Sequence, residues 1–264
     1  MRTFASMIKA VFFDIDGTLV SFKTHSVSES TRESIRRLRD KGIKVFIATG
    51  RARDELSVLN GIEFDGFIIM NGIHCYTPDG KDIHKEAIPA EDINRLAEWL
   101  ETDNTPFIFV YDGGSFITRI NEAVEEVSRL VKIDPPSVKP AQDAIGKEIL
   151  MVMGYFDEYS EQKLLTHVLT GCDSMRWCPY FADIVARGNS KSNGINHILK
   201  HYNIKREETM AFGDGGNDIP MLKHVATGVA MGNAGDDVKA IADYITTSVD
   251  EDGINHALKH FGIL

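Results

Sequence analysis

"KAVFFDIDGTL", residues Lys9–Leu19, places two carboxylates in what otherwise reads as a buried strand. An apolar run of about four to eight residues closed by a turn signal suits a strand covered on both faces, as in a parallel sheet. Ala10–Phe13 fit that pattern and Asp16-Gly17 closes it. Asp14 lies between Phe13 and Ile15, where a charge is costly unless something pairs with it. Residues two apart on an extended chain point to the same side, so Asp14 and Asp16 converge on one spot. Asp before Gly is also an ordinary turn residue, and that reading would suffice for Asp16 alone. Two clustered anions call for a cation.

The stretches that follow repeat the theme. "VSESTRESIRRLRDKG" spaces Ile35 and Leu38 as one face of a short helix that stops at Gly42. "IKVFIATGR" is a second buried strand ending in Thr49-Gly50-Arg51, "ARDELSVLN" the next helix, and "FDGFIIMNG" a third strand ending at Asn71-Gly72. Alternating strand and helix predicts an α/β fold, a Rossmann-like parallel sheet with helices on both faces.

From about Ile73 the rhythm changes. "IHCYTPDGKDIHKEAI" alternates around Pro78-Asp79-Gly80 as a hairpin does. Beyond it, strands adjoin one another in "FIFVYD" and "SFITRI", and again in "SMRWC" and "FADIVA", with helices near 90–101, 122–131 and 158–169. That pattern predicts an antiparallel sheet with helices on one side, an α+β cap domain over 83–186 inserted into a core of 1–82 and 187–264. Such an insert should roof the strand ends, with Gly80 and Gly188 free to absorb hinge rotation. After Arg187 the parallel rhythm returns through "SKSNGINHILKHY", "TMAFGD", "DIPMLKHV", "GVAMG", "AGDDVKAIA", "YITT" and "GINHALKHF".

The totals suit this reading. At 264 residues the chain exceeds the usual domain of roughly 100 to 200, which fits two domains. A formal net charge of -10 opposes the long-range attraction that nucleic acid or an anionic membrane would need, yet leaves a small anionic ligand possible. Cys75, Cys172 and Cys178 are odd in number and lack zinc or redox spacing, so reduced structural thiols are expected. No apolar run approaches the roughly 18 residues of a membrane helix. A cytoplasmic protein, a monomer or weak homo-oligomer, is the expectation.

In open parallel sheets, ligands bind beyond the carboxyl ends of the strands. The notable polar groups all follow predicted strands or open the next helix: Asp14, Asp16, Thr49, Gly50, Lys191, and Asp214, Asn217 and Asp218 of "GDGGND". Each alone has an ordinary explanation as a helix cap, a solvated lysine or a glycine-rich turn. Their shared position points to one site.

These residues resemble the haloacid dehalogenase superfamily, and within it the Cof-type phosphatases with a large α/β cap (subfamily IIB). "DIDGT" matches the first motif, "ATGR" the second, Lys191 the third, "GDGGND" the fourth, and "MNG" at 70–72 the substrate loop. The likeness covers essentially the whole chain. Ser192 and Asn193 stand before Gly194, where many relatives have glycine directly after the lysine.

The resemblance implies phosphoryl transfer, with Asp14 as nucleophile and Asp16 as general acid and then base. A phosphate near carboxylates meets about 4 kcal/mol of repulsion per charge pair at 4 Å and an effective dielectric of 20. Mg²⁺ is the implied remedy, held by Asp14, the Asp16 carbonyl and Asp214, with Asp218 as outer ligand or water holder. Lys191, Thr49, the Gly50 amide, Asn217, Asn71 and Gly72 would bind phosphate and substrate. The partner is a small phosphorylated metabolite, most naturally a sugar phosphate. Among cap and loop residues, His74, Arg176, Trp177 and Asp183 are specificity candidates or packing residues, and Arg51 is a catalytic helper or a surface ion-pair partner. A phosphomutase, which would need a second phosphate grip among the scattered Arg95, Arg119, Arg129 and Arg176, is the nearest rival. A receiver-like phosphate sensor or a non-enzymatic sugar-phosphate binding protein stands further off.

Overall fold

The structure, a computed structural model, describes residues 8–131, 134–178 and 180–264. The chain divides into two compact units, one running to Lys85 and resuming at Ser190, the other spanning Glu86–Asn189. Both junctions fall three residues beyond those expected from the sequence.

In the first unit, β1 (Ala10–Phe13) is followed by helix α1 (Glu29–Asp40), β2 (Lys44–Ala48), β3 (Gly66–Ile69), β4 (His74–Tyr76) and β5 (Asp82–Lys85). The second unit holds α2 (Ala90–Trp99), β6 (Phe107–Tyr111), β7 (Gly114–Ile117), α3 (Glu122–Val131), β8 (Ile149–Gly154), α4 (Glu158–His167), β9 (Cys172–Cys178) and β10 (Phe181–Ala186). The first unit resumes with α5 (Lys191–Tyr202), β11 (Thr209–Gly213), α6 (Ile219–His224), β12 (Thr227–Ala230), α7 (Asp236–Lys239), β13 (Tyr244–Ile245) and α8 (Gly253–His260).

The first sheet has the order β13-β12-β11-β1-β2-β3-β4-β5. From β13 to β3 the pairing is parallel, and Ala10 registers with Thr209 on one side and Lys44 on the other. Alternation along β1 feeds two cores. Val11 and Phe13 pack with Ile35 and Leu38 of α1 and Ile254 and Leu258 of α8. Ala10 and Phe12 pack with Ile195 and Ile198 of α5 and Met221 of α6. Helices therefore cover both faces, and β1 must be apolar on both. The chain proceeds outward from β1 to β3, then crosses to β11 on β1's other side, which makes the end of β1 the topological switch point.

Three expectations need correcting. The expected boundary at 82 would cut the hairpin, but β5 as well as β4 belongs to the first unit, and the two add antiparallel strands to its sheet, with Phe67 opposite Tyr76. The stretch after Arg51 is a 3-10 helix, Arg53–Leu59. Arg51 Nη1 donates to the Glu55 carbonyl at 2.9 Å, the acceptor that a regular helix would offer to residue 59. In the second unit, whose sheet order is β7-β6-β8-β10-β9, α2 and α4 pack on one face, but Val124 of α3 packs against Ile108 and Ile117 on the other. Both faces of β6 are apolar, Phe107 and Phe109 on one and Ile108 on the other, so both recruit cover.

Cys75 and Cys172 are free, buried thiols, and burial pushes Cys75 up to about 12, which keeps it protonated. The side chains of Cys178 and Trp177 lie outside the described residues. No helix among the described residues is long and apolar enough to cross a membrane.

Candidate active site

Five parallel strands deliver their C-terminal ends to one place. Asp14 leaves β1, Thr49 leaves β2, Met70 and Asn71 leave β3, Asp214 leaves β11, and Asn233 lies just beyond β12. Lys191 opens α5, whose N-cap Ser190 accepts from the Asn193 N–H.

Lys191 is 1% exposed and lies between two carboxylates, its Nζ 2.6 Å from Asp14 Oδ1 and 2.6 Å from Asp218 Oδ1. Asp218 is fully buried, and its second oxygen accepts the backbone N–H groups of Asp214 and Gly215 at 3.0 and 2.9 Å. Both Asp218 oxygens thus carry protein contacts, so the residue braces Lys191 against the glycine-rich turn. Asp214 Oδ1 accepts from the Thr18 hydroxyl at 2.7 Å. Oxygens of Asp14, Asp214 and Asp218 lie within 4.8 Å of one another.

Three carboxylates around one ammonium leave two negative charges in a buried space. Burial first, then the Asp218 charge, pushes the Asp14 carboxyl up to about 8, with Lys191 opposing. Burial likewise raises Asp214 to about 6, against the Thr18 hydrogen bond. Burial on its own would lower Lys191, but Asp14 and Asp218 outweigh it and raise its pKa. A cluster short of positive charge, built only of hard oxygen donors, fits a divalent cation such as Mg²⁺.

Asp16 lies outside this cluster, half-exposed and gripped by Arg51, Nε to Oδ2 at 2.8 Å and Nη2 to Oδ1 at 2.7 Å. The turn between the two aspartates and Asp214 is tight: Gly17 has φ +82, and a Cβ there would stand 2.1 Å from Asp214 Oδ2.

The loop after β3 carries three residues with positive φ, Met70, Asn71 and Gly72. Two contacts hold it, Asn71 N–H to Thr49 O at 2.9 Å and Met70 N–H to Arg51 O at 3.0 Å. Asn71 Oδ1 accepts from Asn217 Nδ2 at 3.1 Å. Gly50 faces the Asn71 amide, 3.3 Å from where its Cβ would be, so the second motif, the substrate loop and the fourth motif meet. The buried Thr49 hydroxyl accepts the Arg51 N–H at 3.1 Å, which leaves its own proton to donate. At Gly72, with φ +106, a Cβ would lie 2.1 Å from Ser190 O, the residue before Lys191. Gly194, one turn on, lets α5 approach: its Cβ would meet Ile68 at 2.4 Å.

The structure brings Asp14, Lys191, Asp214 and Asp218 into one cluster, places Thr49, Gly50, Asn71, Gly72 and Asn217 on the loops around it, and leaves Asp16 outside, on Arg51. Other candidates do not stand free. His74 is buried against Asp82 at 2.6 Å and against the Tyr76 ring, and Arg176 is half-buried and bonded to Glu161 at 2.6 Å. Asp183 sits in β10 between Met153 and Met175. Thr18, Arg51 as Asp16's partner, and Asn233 escaped the sequence reading, although "GNA" after the strand of β12 obeys the same strand-end rule.

A sequence model of the haloacid dehalogenase-like hydrolase family matches residues 11–258. The chain is 30% identical over 288 residues to phosphatase YwpJ of Bacillus subtilis (strain 168), spanning 96% of this chain and 99% of that protein. BT1666 of Bacteroides thetaiotaomicron, a structure described among the phosphatases of the haloalkanoate superfamily, superposes with a TM-score of 0.91 at 42% identity, covering 98% of this chain and 96% of that one. The subclass IIB sugar phosphatase BT4131 superposes with a TM-score of 0.84 at 43% identity, covering 97% of this chain and 100% of that one.

Proposed function

This chain belongs to the haloacid dehalogenase-like hydrolases and is a phosphatase, and we propose that it hydrolyses small phosphate monoesters, sugar phosphates first among them, through an aspartyl-phosphate on Asp14 with Mg²⁺ bound. The observation that carries this reading is the placement of Asp14 Oδ1 2.6 Å from Lys191 Nζ inside a cluster of three carboxylates. The sugar-phosphate part rests on likeness to BT4131, described as a sugar phosphatase.

Asp14, the Asp16 carbonyl and Asp214 would hold Mg²⁺, and Asp218 would act from behind through Lys191. When bound, the cation supplies charge neutralisation for the phosphoryl oxygens and the carboxylates around them. An Asp14 oxygen then attacks phosphorus, the bond from phosphorus to the ester oxygen breaks, and Asp16 gives its proton to the departing alcohol. In the second step Asp16 takes a proton from water, whose oxygen attacks phosphorus and frees Asp14 and inorganic phosphate. Lys191 offsets charge at Asp14 throughout, while the Thr49 hydroxyl, the Gly50 amide and Asn217 donate to the equatorial oxygens. Asn71 and Gly72 shape the edge of the substrate loop. Arg51 binds both Asp16 oxygens as a carboxylate, so one of those bonds must open and Asp16 take up a proton from solvent before it can serve as the acid.

The phosphomutase alternative loses weight because Arg95, Arg119 and Arg176 are committed to Asp92, Asn104 and Glu161. The test is inorganic phosphate release across a panel of phosphorylated metabolites, with and without Mg²⁺ and without any bisphosphate. Release from hexose or pentose phosphates is expected. Turnover that needs a bisphosphate activator and yields an isomer would favour the mutase.

A further inference from the structure

Asn233 has no part in the chemistry just described, yet its side chain ties two segments of the site, at Gly17 and Asp214, to the backbone at Val249. Its Oδ1 accepts the Val249 N–H at 3.0 Å, which fixes the amide orientation: the opposite end is the NH₂ group. That Nδ2 donates to Gly17 O at 2.8 Å and to Asp214 Oδ2 at 3.2 Å. Thr18 donates to the other Asp214 oxygen at 2.7 Å, so this carboxylate is held on both sides while each oxygen keeps a lone pair. Asn233 is an exposed residue, but both bonds of its NH₂ group go to site segments while its oxygen is anchored by Val249.

We propose that Asn233 is a positioning residue for the divalent cation, aiming Asp214 and fixing the turn beside the Asp16 carbonyl. The inference rests on the metal reading given above. Asp214 lies within 4.8 Å of Asp14 and Asp218, and as these carboxyls ionise to receive the cation their repulsion favours a swing of Asp214 toward solvent. A restraint is needed before the cation arrives. A lysine or arginine would supply one but would also compete with the cation for charge. A neutral amide donates without that competition. The same hydrogen bond to Gly17 O holds the first motif against the fourth, so ligands from two strands keep their spacing.

The experiment is calorimetric titration of Mg²⁺ into the metal-free full-length protein, for wild type, Asn233→Ala and Asn233→Ser. Removing a partner that orients a ligand is expected to weaken Mg²⁺ binding about 10- to 100-fold. With saturating Mg²⁺, kcat should return to within about threefold of wild type, because no reacting group is lost. A merely structural role would lower kcat and thermal stability and leave the Mg²⁺ Kd of the folded protein unchanged. Asn233→Ser carries the same expectation should the alanine variant not fold. Kd values within about twofold of wild type would overturn this inference alone. Failure of the wild-type protein to bind Mg²⁺ would overturn it together with the metal reading.

Discussion

Arg51 closes on Asp16 with two arms of its guanidinium, Nε to Oδ2 at 2.8 Å and Nη2 to Oδ1 at 2.7 Å. A bidentate fork fixes direction as well as charge. With the proton donor assigned to Asp16, Asp16→Asn should cut turnover of alkyl phosphates far more than of aryl phosphates, whose leaving groups hardly need a proton. Arg51→Ala removes the fork that aims Asp16 but also the bond that must open for proton uptake, so its loss on an alkyl ester should be smaller than that of Asp16→Asn. Comparing kcat/KM for the two ester types decides it, and equal losses on both would contradict the assignment.

Gly72 ties the substrate loop to the N-cap of α5. Gly72→Ala sets a methyl 2.1 Å from Ser190 O on a backbone with φ +106. A cost of about 2 kcal/mol or more is expected from strain and overpacking together. Denaturant unfolding would measure it, and activity should fall as well because Lys191 follows Ser190. An unchanged midpoint would refute the close approach.

Without a cation, burial and Asp218 hold Asp14 up to about 8, and burial holds Asp214 to about 6. Unfolded, both groups titrate near 4. Between these values the folded chain binds more protons, so this contribution to stability is complete below about pH 4 and lost as pH rises toward 8. Metal-free protein should therefore show a falling Tm from pH 5 to 8, a slope that Asp14→Asn flattens and Mg²⁺ reverses. Calorimetric melts in chelator and in Mg²⁺ test this. A metal-free slope identical in Asp14→Asn would speak against it.

How much of this was legible in the sequence depended on whether a residue's role was local. Asp14 betrays itself because a carboxylate inside "AVFFDI" has no local reason to exist, and Lys191 and Asp214 follow from the strand-end rule. Both faces of the first sheet were readable from the apolar runs. The β4 and β5 hairpin was legible as a hairpin, but its allegiance was not, since that depends on Tyr76 meeting Phe67 in register. The 3-10 geometry of Arg53–Leu59 was hidden because nothing in "RDELSVL" distinguishes it from an α-helix. Asn233 was hidden for a different reason: its partners Gly17 and Val249 are far away in sequence.

Mg²⁺ should be required and Ca²⁺ should substitute poorly. Mg²⁺ enforces octahedral geometry at roughly 2.0 to 2.1 Å, whereas Ca²⁺ takes more ligands at longer distance and would let a carboxylate bind through both oxygens, spoiling Asp14's aim. Asp214→Ala should need far more Mg²⁺ or be inactive. Phosphate release that survives thorough chelation would refute the requirement.

The central claim is that Asp14 becomes phosphorylated during turnover. An acyl phosphate is reduced by borohydride to the alcohol, which at this position would leave homoserine. The decisive measurement is to acid-quench the protein during turnover of a hexose phosphate, reduce it, digest it, and locate the modified residue by mass spectrometry. Homoserine at position 14 in wild type, together with no modification and no turnover in Asp14→Asn, is the predicted result. Modification of a different carboxylate, or Asp14→Asn retaining activity within about tenfold of wild type, would contradict the account.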